Sequence, residues 1–136
     1  MDFVKELKKR GYRITNPREV ICNILETSGH EHFTVDKLHN LAIKKDKNID
    51  LATVYRTLEL LEDIDIVEHM HQAHGSGIYY LKGENDNNHI ICDFCKSIYD
   101  LTKETKDRIN KLLVKDSNFN LINHNFIYSG VCKNCN

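Results

Sequence analysis

The chain lacks tryptophan entirely and has a single proline and six glycines among its 136 residues. So little proline and glycine excludes a collagen-like or a low-complexity chain. No segment approaches the roughly 18 apolar residues that a membrane-spanning helix needs. Apolar residues still make up 40% of the sequence, which is enough to form a core. We therefore expect one ordinary domain, or two small ones sharing a core, and no membrane contact.

The first residues, MDFVKELKKRGYR, contain no apolar segment followed by a small-residue cleavage site. This pattern predicts no export signal and favours a cytoplasmic protein. In that reducing compartment, paired cysteines bind metal more often than they form disulfides.

Net charge is also small, but the charges are distributed unevenly along the chain. The formal net charge of −1 argues against a polybasic coat for nucleic acid. Residues 1–18, however, carry six basic and two acidic side chains, a local excess of four positive charges. A local basic stripe on a near-neutral protein suits conditional DNA binding, although a solvated helix face explains the stripe equally well.

Three segments have the hydrophobic spacing of helices, and a segment with the spacing of β-strands follows them. Asn16-Pro17-Arg18-Glu19 predicts a helix start capped by Asn16, and Gly29 ends that helix. A second helix is predicted to open at Thr34. Asp50 caps a third, whose apolar residues recur at helical spacing. The apolar positions of this third helix are Leu51, Val54, Tyr55, Leu58, Leu61 and Ile64.

A β-hairpin is predicted next, with strands at 66–71 and 78–81 around a Gly75-Ser76-Gly77 turn. Three helices followed by a hairpin form a winged helix-turn-helix, in which the helix at 51–64 enters the major groove and the hairpin is the wing. The polar face of this helix would display Ala52, Thr53, Arg56 and Thr57 to the DNA. The same pattern also occurs in ordinary α+β domains.

The second half is predicted to be a small α+β domain. It would contain strands near 89–92 and 97–101, a helix at about 103–115 and a strand at about 119–128. The polar segment 83–88 is the predicted linker. The predicted organisation is therefore α+β, with a winged-helix domain at 1–82, a hinge at 83–88 and a small second domain at 89–136.

Four cysteines form two C-x-x-C pairs, Cys92 with Cys95 and Cys132 with Cys135. A two-residue spacing folds into a knuckle that directs both thiolates at one point, and two knuckles complete a tetrahedron around zinc. A redox dithiol is disfavoured because neither pair opens a helix after a buried parallel strand. The pattern predicts a structural Zn(II). Cys22 lies beside the apolar face of a helix and is interpreted as a core residue.

Together, several motifs resemble the ferric uptake regulator superfamily of bacterial metal-dependent repressors. They are GYRITNPR at 11–18, HFTVD at 32–36, LATVYRTL at 51–58, HIICDFC at 89–95 and the closing C-x-x-C. The resemblance implies that 1–82 is a DNA-binding domain and that 89–136 is a dimerisation and zinc-binding domain. The homodimer would bind a palindromic double-stranded operator of metal-homeostasis or peroxide-stress genes. It also implies a second, regulatory ion between the domains, either Fe(II), Mn(II) or Zn(II), that sets the DNA-binding conformation. It implies no enzymatic activity and no small organic ligand.

The resemblance also implies roles for individual residues. The regulatory metal would be bound by His32, His89 and Asp100, with Glu68 or Asp86 as further candidates. An auxiliary metal site would involve Asp107 and His124. The DNA-binding residues would be Arg13, Arg18, Thr53, Tyr55 and Arg56.

The chain departs from the family pattern at two positions. Asn87 stands where a second histidine is usual, and Tyr80 stands where the family has a carboxylate in the wing. Asp100 in place of glutamate resembles the peroxide-sensing branch, in which a ligating histidine is oxidised and DNA is released. A zinc-uptake-type regulator is the alternative subtype. A zinc-containing enzyme is the alternative class, but the strongest site is a closed set of four cysteines without an H-E-x-x-H signature.

The wing contains three further histidines, His69, His71 and His74. They are interpreted either as extra metal ligands or as solvated wing residues.

Overall fold

The computed structural model describes residues 1–29, 31–71, 75–83, 88–122 and 126–136. The chain forms two compact units, Met1–Lys82 and Gly83–Asn136. None of the helices in the described ranges has both the length and the apolar character needed to cross a membrane.

The first unit is four helices followed by a β-hairpin. Its elements are α1 (Phe3–Lys9), α2 (Asn16–Thr27), α3 (Val35–Ile43), α4 (Leu51–Asp63), β1 (Val67–Met70) and β2 (Ile78–Leu81). β1 and β2 pair antiparallel, with Val67 opposite Leu81 and Met70 opposite Ile78. The winged helix-turn-helix predicted from the hydrophobic pattern is confirmed, with α1 as an additional helix before it.

Side-chain caps begin α3 and α4 as the sequence predicted. The Thr34 hydroxyl accepts from the Lys37 backbone N–H at 3.1 Å, and the Asp50 carboxylate accepts from the Thr53 N–H at 2.8 Å. These caps satisfy helix-start donors that would otherwise lack a partner. The prediction for α2 was wrong, because Thr15 is the N-cap and makes no side-chain cap bond, whereas Asn16 is already helical. The Asn16 amide donates to Asp46 instead.

The core of the first unit lies between the helices and the hairpin. Its fully buried side chains include Leu7, Ile21, Leu25, Phe33, Leu38, Val54, Leu58, Leu61 and Val67. Cys22 is fully buried among them, as predicted, and burial raises the pKa of its thiol to about 12.

The two faces of α4 differ from the prediction at three positions. Leu51 and Tyr55 were expected in the apolar face, but they are 37% and 46% exposed. Thr57 was expected on the polar face, but it is buried and its hydroxyl donates to the carbonyl of Thr53 at 2.8 Å. A threonine can turn its hydroxyl back to the preceding helical turn and present its methyl group to the core, which explains the error.

The second unit is a three-stranded sheet with one helix. Its elements are β3 (Asn88–Cys92), β4 (Ile98–Asp100), α5 (Lys103–Ser117) and β5 (Phe126–Gly130). The strand order is β4-β3-β5, with β3 antiparallel to β4 and parallel to β5. A parallel pair requires a crossover, and α5 lies in that connection. The expectation of strand from residue 119 was wrong, since 119–122 are not in a strand.

Few hydrophobic side chains are buried in the described part of the second unit. They are Ile91 and Cys92. A larger set is exposed by a third or more of its surface, namely Phe94, Tyr99, Leu112, Leu113, Val114, Phe119, Ile122, Ile127, Tyr128 and Val131. An apolar surface of this extent is typical of a contact surface.

Candidate metal centres and nucleic-acid interface

The parallel pairing of β3 with β5 brings the two cysteine pairs together. Cys92 is opposite Gly130 in this ladder, so Cys132 follows two residues after the partner of Cys92. The backbone N–H of Asp93 donates to the Gly130 carbonyl at 2.8 Å and holds the two knuckles in this register. The register therefore converts a separation of 36 residues in sequence into one cluster.

The four sulfur atoms have the spacing of a tetrahedral zinc site. All four lie within 4.8 Å of one another, and the Sγ atoms of Cys95 and Cys132 are 3.7 Å apart. Four sulfurs bound to zinc at about 2.3 Å would be about 3.8 Å from each other. All four cysteines are free thiols, and 3.7 Å is far longer than a disulfide bond. The cluster fits a structural Zn(II), as predicted.

The thiols of this cluster also have strongly divergent acidities. Backbone N–H groups, first that of Cys132 and then that of Cys95, lower the pKa of the Cys92 thiol to about 6. The pKa of the Cys135 thiol is raised to about 12 by the side-chain hydrogen bonds of Cys132 and Cys95. Deprotonation of Cys135 is therefore unfavourable without a nearby cation, and a zinc ion would supply that positive charge.

His89 and Asp100 face each other across β3 and β4. The two residues are direct partners in the antiparallel ladder, so their side chains lie on the same face of the sheet. The Nδ1 of His89 is hydrogen-bonded to Oδ1 of Asp100, with the imidazole buried and the carboxylate partly exposed. An imidazole beside a carboxylate is a ligand pair suited to Fe(II), Mn(II) or Zn(II).

His32 lies beside the wing within the first unit. The next residue, Phe33, exchanges two backbone hydrogen bonds of 2.7 Å with Tyr79, which fixes this segment along β2. The His32 ring is 5.2 Å from the ring of Tyr80. The Tyr80 hydroxyl in turn donates to Glu68 at 3.0 Å. Tyr80 therefore contacts both the ring of His32 and the carboxylate of Glu68.

The DNA-contact candidates lie on α4, just before α2 and in the first turn of α2. Thr53 is half-buried, whereas Tyr55 and Arg56 are exposed. Arg13 is exposed, but its carbonyl accepts a hydrogen bond of 2.6 Å from the Arg18 guanidinium. Arg18 therefore also stabilises the loop that leads into α2.

The predicted auxiliary metal site has one member in the described part of the chain. Asp107 is an exposed residue of the first half of α5. Its predicted partner His124 lies outside the described residues, as do Asp86, Asn87 and His74.

Nothing in the sequence indicated that Asp36 and Ser76 share a cavity with His69 and His71. This cavity in the first unit has a volume of about 200 Å³ and is also lined by Tyr55. The alternation of the histidines was visible in the sequence. The position of Asp36, at the start of α3, beside these histidines was not visible in the sequence, because it depends on tertiary packing.

Known proteins share the pattern of this chain over nearly its whole length. The profile of the ferric uptake regulator family matches residues 9–129. The peroxide-responsive repressor PerR of Staphylococcus epidermidis is 33% identical over 134 residues, covering 98% of this chain and 88% of that protein. The ferric uptake regulation protein of Campylobacter upsaliensis is 32% identical over 137 residues, covering 98% and 86%.

A solved structure shows the same fold. The Helicobacter pylori ferric uptake regulator Fur, described as having three functional metal binding sites, superposes with a TM-score of 0.81 at 27% identity. The match covers 98% of this chain and 88% of that one. The prediction of a structural zinc with a second metal agrees with these relatives, and the alternative of a zinc enzyme is excluded because the family consists of regulators. The chain belongs to the ferric uptake regulator family of metal-responsive transcriptional regulators.

Proposed function

We propose that this protein is a homodimeric, cytoplasmic repressor that binds palindromic operator DNA when a divalent ion occupies a regulatory site. The observation that carries the proposal is the two-faced character of α4. Val54, Leu58 and Leu61 are fully buried, whereas Tyr55 and Arg56 are exposed on the same helix. The helix is thus anchored by one face and offers a guanidinium and a phenol on the other, as a recognition helix requires.

Dimerisation is proposed through the second unit. Most of its exposed apolar residues lie on α5, on β5 and in the segments that follow each of them, and Phe94 and Tyr99 lie before and on β4. Burial of such residues against a second copy would supply the hydrophobic stabilisation that its own small core lacks. A two-fold dimer would present one copy of α4 to each of the two half-sites of a palindrome.

The regulatory ion is proposed to be bound by His32, His89 and Asp100. The contact between His89 and Asp100 and the fixed position of His32 beside β2 support this assignment. Because His32 belongs to one unit and the other two ligands to the second, an ion that binds all three would restrain their relative placement. Metal can shift the population towards the DNA-binding arrangement only by its differential affinity for that arrangement. Glu68, engaged by Tyr80, is proposed to orient that hydroxyl or to join the ligands.

The finer subtype is proposed to be peroxide sensing with Fe(II) as the sensed metal. The support is that residue 100 is an aspartate and not a glutamate, as in the peroxide-sensing branch that the sequence resembles. Identities of 33% to a peroxide-responsive repressor and 32% to a ferric uptake regulation protein do not separate the two subtypes.

Treatment with peroxide tests the subtype. If the protein senses peroxide through Fe(II), peroxide should release DNA from the Fe(II)-loaded protein but not from the Mn(II)-loaded one, with one oxygen atom added to a peptide containing His32 or His89. Release with both metals, or with neither, would contradict the subtype.

A metal titration of operator affinity tests the proposed function. His32→Ala, His89→Ala and Asp100→Ala should each abolish the metal-dependent gain in affinity, because each removes one ligand of the regulatory ion. All three variants should retain one zinc per chain at the cysteines. The measurement is fluorescence anisotropy on labelled palindromic promoter DNA with Fe(II), Mn(II) and Zn(II), combined with zinc analysis.

His39→Gln is the matched control. His39 lies on α3 and its Nε2 is 2.8 Å from the carbonyl oxygen of Ile49, so its replacement removes an imidazole without touching the proposed ligands. If His89→Ala responds to all three metals as the wild type does, the regulatory site lies elsewhere in the molecule.

A further inference from the structure

The four sulfurs of the cysteine cluster differ in their access to solvent. Cys92 is buried and Cys132 is partly buried, whereas Cys95 and Cys135 are exposed. A cysteine binds zinc as a thiolate, so a proton or a competing reagent that reaches the sulfur weakens the metal site. The groups that contact the two exposed sulfurs therefore bear directly on how firmly the ion is retained.

A hydroxyl group lies against the exposed sulfur of Cys95. The Oγ atom of Ser97 is 3.1 Å from the Sγ atom of Cys95. A zinc-bound thiolate has no proton to donate, so the hydroxyl is the donor of this hydrogen bond when the metal is bound. Four thiolates carry more negative charge than one Zn(II) neutralises. A hydrogen bond to a charged acceptor is stronger than one between neutral groups, so a donor at this sulfur stabilises the loaded site.

The backbone of the first knuckle holds Ser97 in position. The N–H of Cys92 donates to the Ser97 carbonyl at 3.0 Å, and the N–H of Lys96 donates to the Cys92 carbonyl at 3.0 Å. Lys96 has a left-handed backbone with φ of 61°, and β4 begins directly after Ser97, at Ile98. The hydroxyl is thus presented from a hydrogen-bonded turn that leads into the sheet. A group placed in this way loses little further freedom when the metal binds.

We propose that Ser97 is a positioning residue of the zinc site, whose hydroxyl donates to the Cys95 thiolate and slows the loss of the ion. The sulfur of Cys92 has a donor of another kind, the backbone N–H of Cys132 at 3.4 Å. A side-chain donor, unlike a backbone one, can be removed by substitution. Outer-shell partners typically change metal affinity by about 10–100-fold, and water can partly replace a hydroxyl at an exposed sulfur. The proposal is independent of the regulatory ion and of DNA binding.

The rate of zinc release tests the proposal on the full-length protein. Ser97→Ala should release zinc to an excess of a chromophoric chelator about three- to tenfold faster than the wild type. Ser97→Thr keeps a hydroxyl and should restore a rate close to that of the wild type. Ser117→Ala is the matched control, since it removes a hydroxyl that donates to the Leu113 carbonyl at 2.6 Å within α5 of the same unit. Its release rate should be unchanged.

Alkylation of the zinc-loaded protein separates an effect on the sulfur from an effect on the fold. The initial rate of reaction with iodoacetamide, followed by mass spectrometry, should rise at Cys95 in Ser97→Ala and remain unchanged at the equally exposed Cys135. Thermal melting verifies that each variant is folded.

Two results would overturn the proposal. One is a Ser97→Ala protein that releases zinc at the wild-type rate with Cys95 no more reactive than before. The other is equal acceleration of alkylation at Cys95 and Cys135 that Ser97→Thr does not reverse, because the hydroxyl would then act only on the stability of the unit.

Discussion

The sulfurs of Cys92 and Cys95 in the four-cysteine cluster have different local contacts. Cys92 accepts from the backbone N–H of Cys132 at 3.4 Å, and the Sγ of Cys95 lies 3.1 Å from the Ser97 hydroxyl. Cys92 is buried at the end of β3, whereas Cys135 is exposed near the last residue of the chain. The site thus joins the buried strand β3 to the segment that follows β5.

Cys92→Ser and Cys135→Ser should both release the structural zinc. Metal binding in such sites stabilises the fold directly, so the second unit should lose stability with the ion. We expect the thermal midpoint of that unit to fall by about 10 °C or more. Zinc analysis and thermal melting by circular dichroism are the measurements.

Cys22→Ser is the matched control, because this thiol lies in the core of the first unit and is not a ligand. It should retain one zinc per chain even if it melts earlier. A Cys135→Ser protein that keeps its zinc and melts like the wild type would rule out the four-cysteine assignment.

Arg56→Ala should weaken operator binding by about 1–3 kcal/mol and relax sequence preference at one position in each half-site, if the guanidinium binds a guanine edge. Tyr55→Phe should weaken binding as well. Since both side chains are exposed, neither change should alter metal content or dimerisation. Fluorescence anisotropy on operator and on random DNA measures the effect.

Lys45→Ala serves as the control for charge, because this exposed lysine lies just beyond α3. It should have little effect on sequence preference. Unchanged affinities of Arg56→Ala for both DNAs would mean that α4 does not read the operator.

At the scale of elements, local signals predicted more than long-range ones. The caps at Thr34 and Asp50 follow from spacing within one helix, and the structure confirms them. The same spacing predicted the buried residues Val54, Leu58 and Leu61 of α4 but missed Thr57. The start of β5 at Phe126 was missed, because the ladder with β3 determines it rather than the composition of residues 119–128. Both C-x-x-C pairs were recognisable from spacing. The cavity shared by Asp36 and His69 was not, because it forms between elements distant in sequence.

α5 and the segment after it carry apolar side chains that the chain itself does not cover. Leu112 is 67% exposed and Phe119 is 70% exposed. Leu112→Glu should therefore leave the monomer folded while placing a charge in the proposed dimer contact. We expect the dissociation constant of the dimer to rise at least about tenfold, since an unpaired buried charge costs several kcal/mol. Sedimentation equilibrium over a range of concentrations measures this.

Ile43→Glu is the matched control on the first unit, where Ile43 is 36% exposed at the end of α3. It should not change the oligomeric state. If Leu112→Glu remains as dimeric as the wild type, the contact surface does not include this part of α5.

At the scale of the whole molecule, hydrophobic burial is distributed very unevenly. The hydrophobic cluster of the described residues runs from Phe3 to Tyr79 and lies wholly in the first unit. In the second unit, Ile91 and Cys92 are the buried hydrophobic residues among those described. A unit that spans only Gly83–Asn136 and has so small a core requires additional stabilisation, and the four-cysteine zinc site and the proposed dimer contact supply it.

Removal of zinc by a strong chelator should therefore unfold the second unit and leave the first folded. Hydrogen exchange followed by mass spectrometry should show loss of protection in β3 and β5, because their register holds the cysteine knuckles together. Peptides from α2 and α4 should retain their protection, since their apolar faces pack in a core that contains no ligand of the four-cysteine site. Adding zinc back should restore protection in β3 and β5. Simultaneous loss of protection in both units would show that they unfold as one cooperative structure, and that the first core does not fold independently of the zinc site.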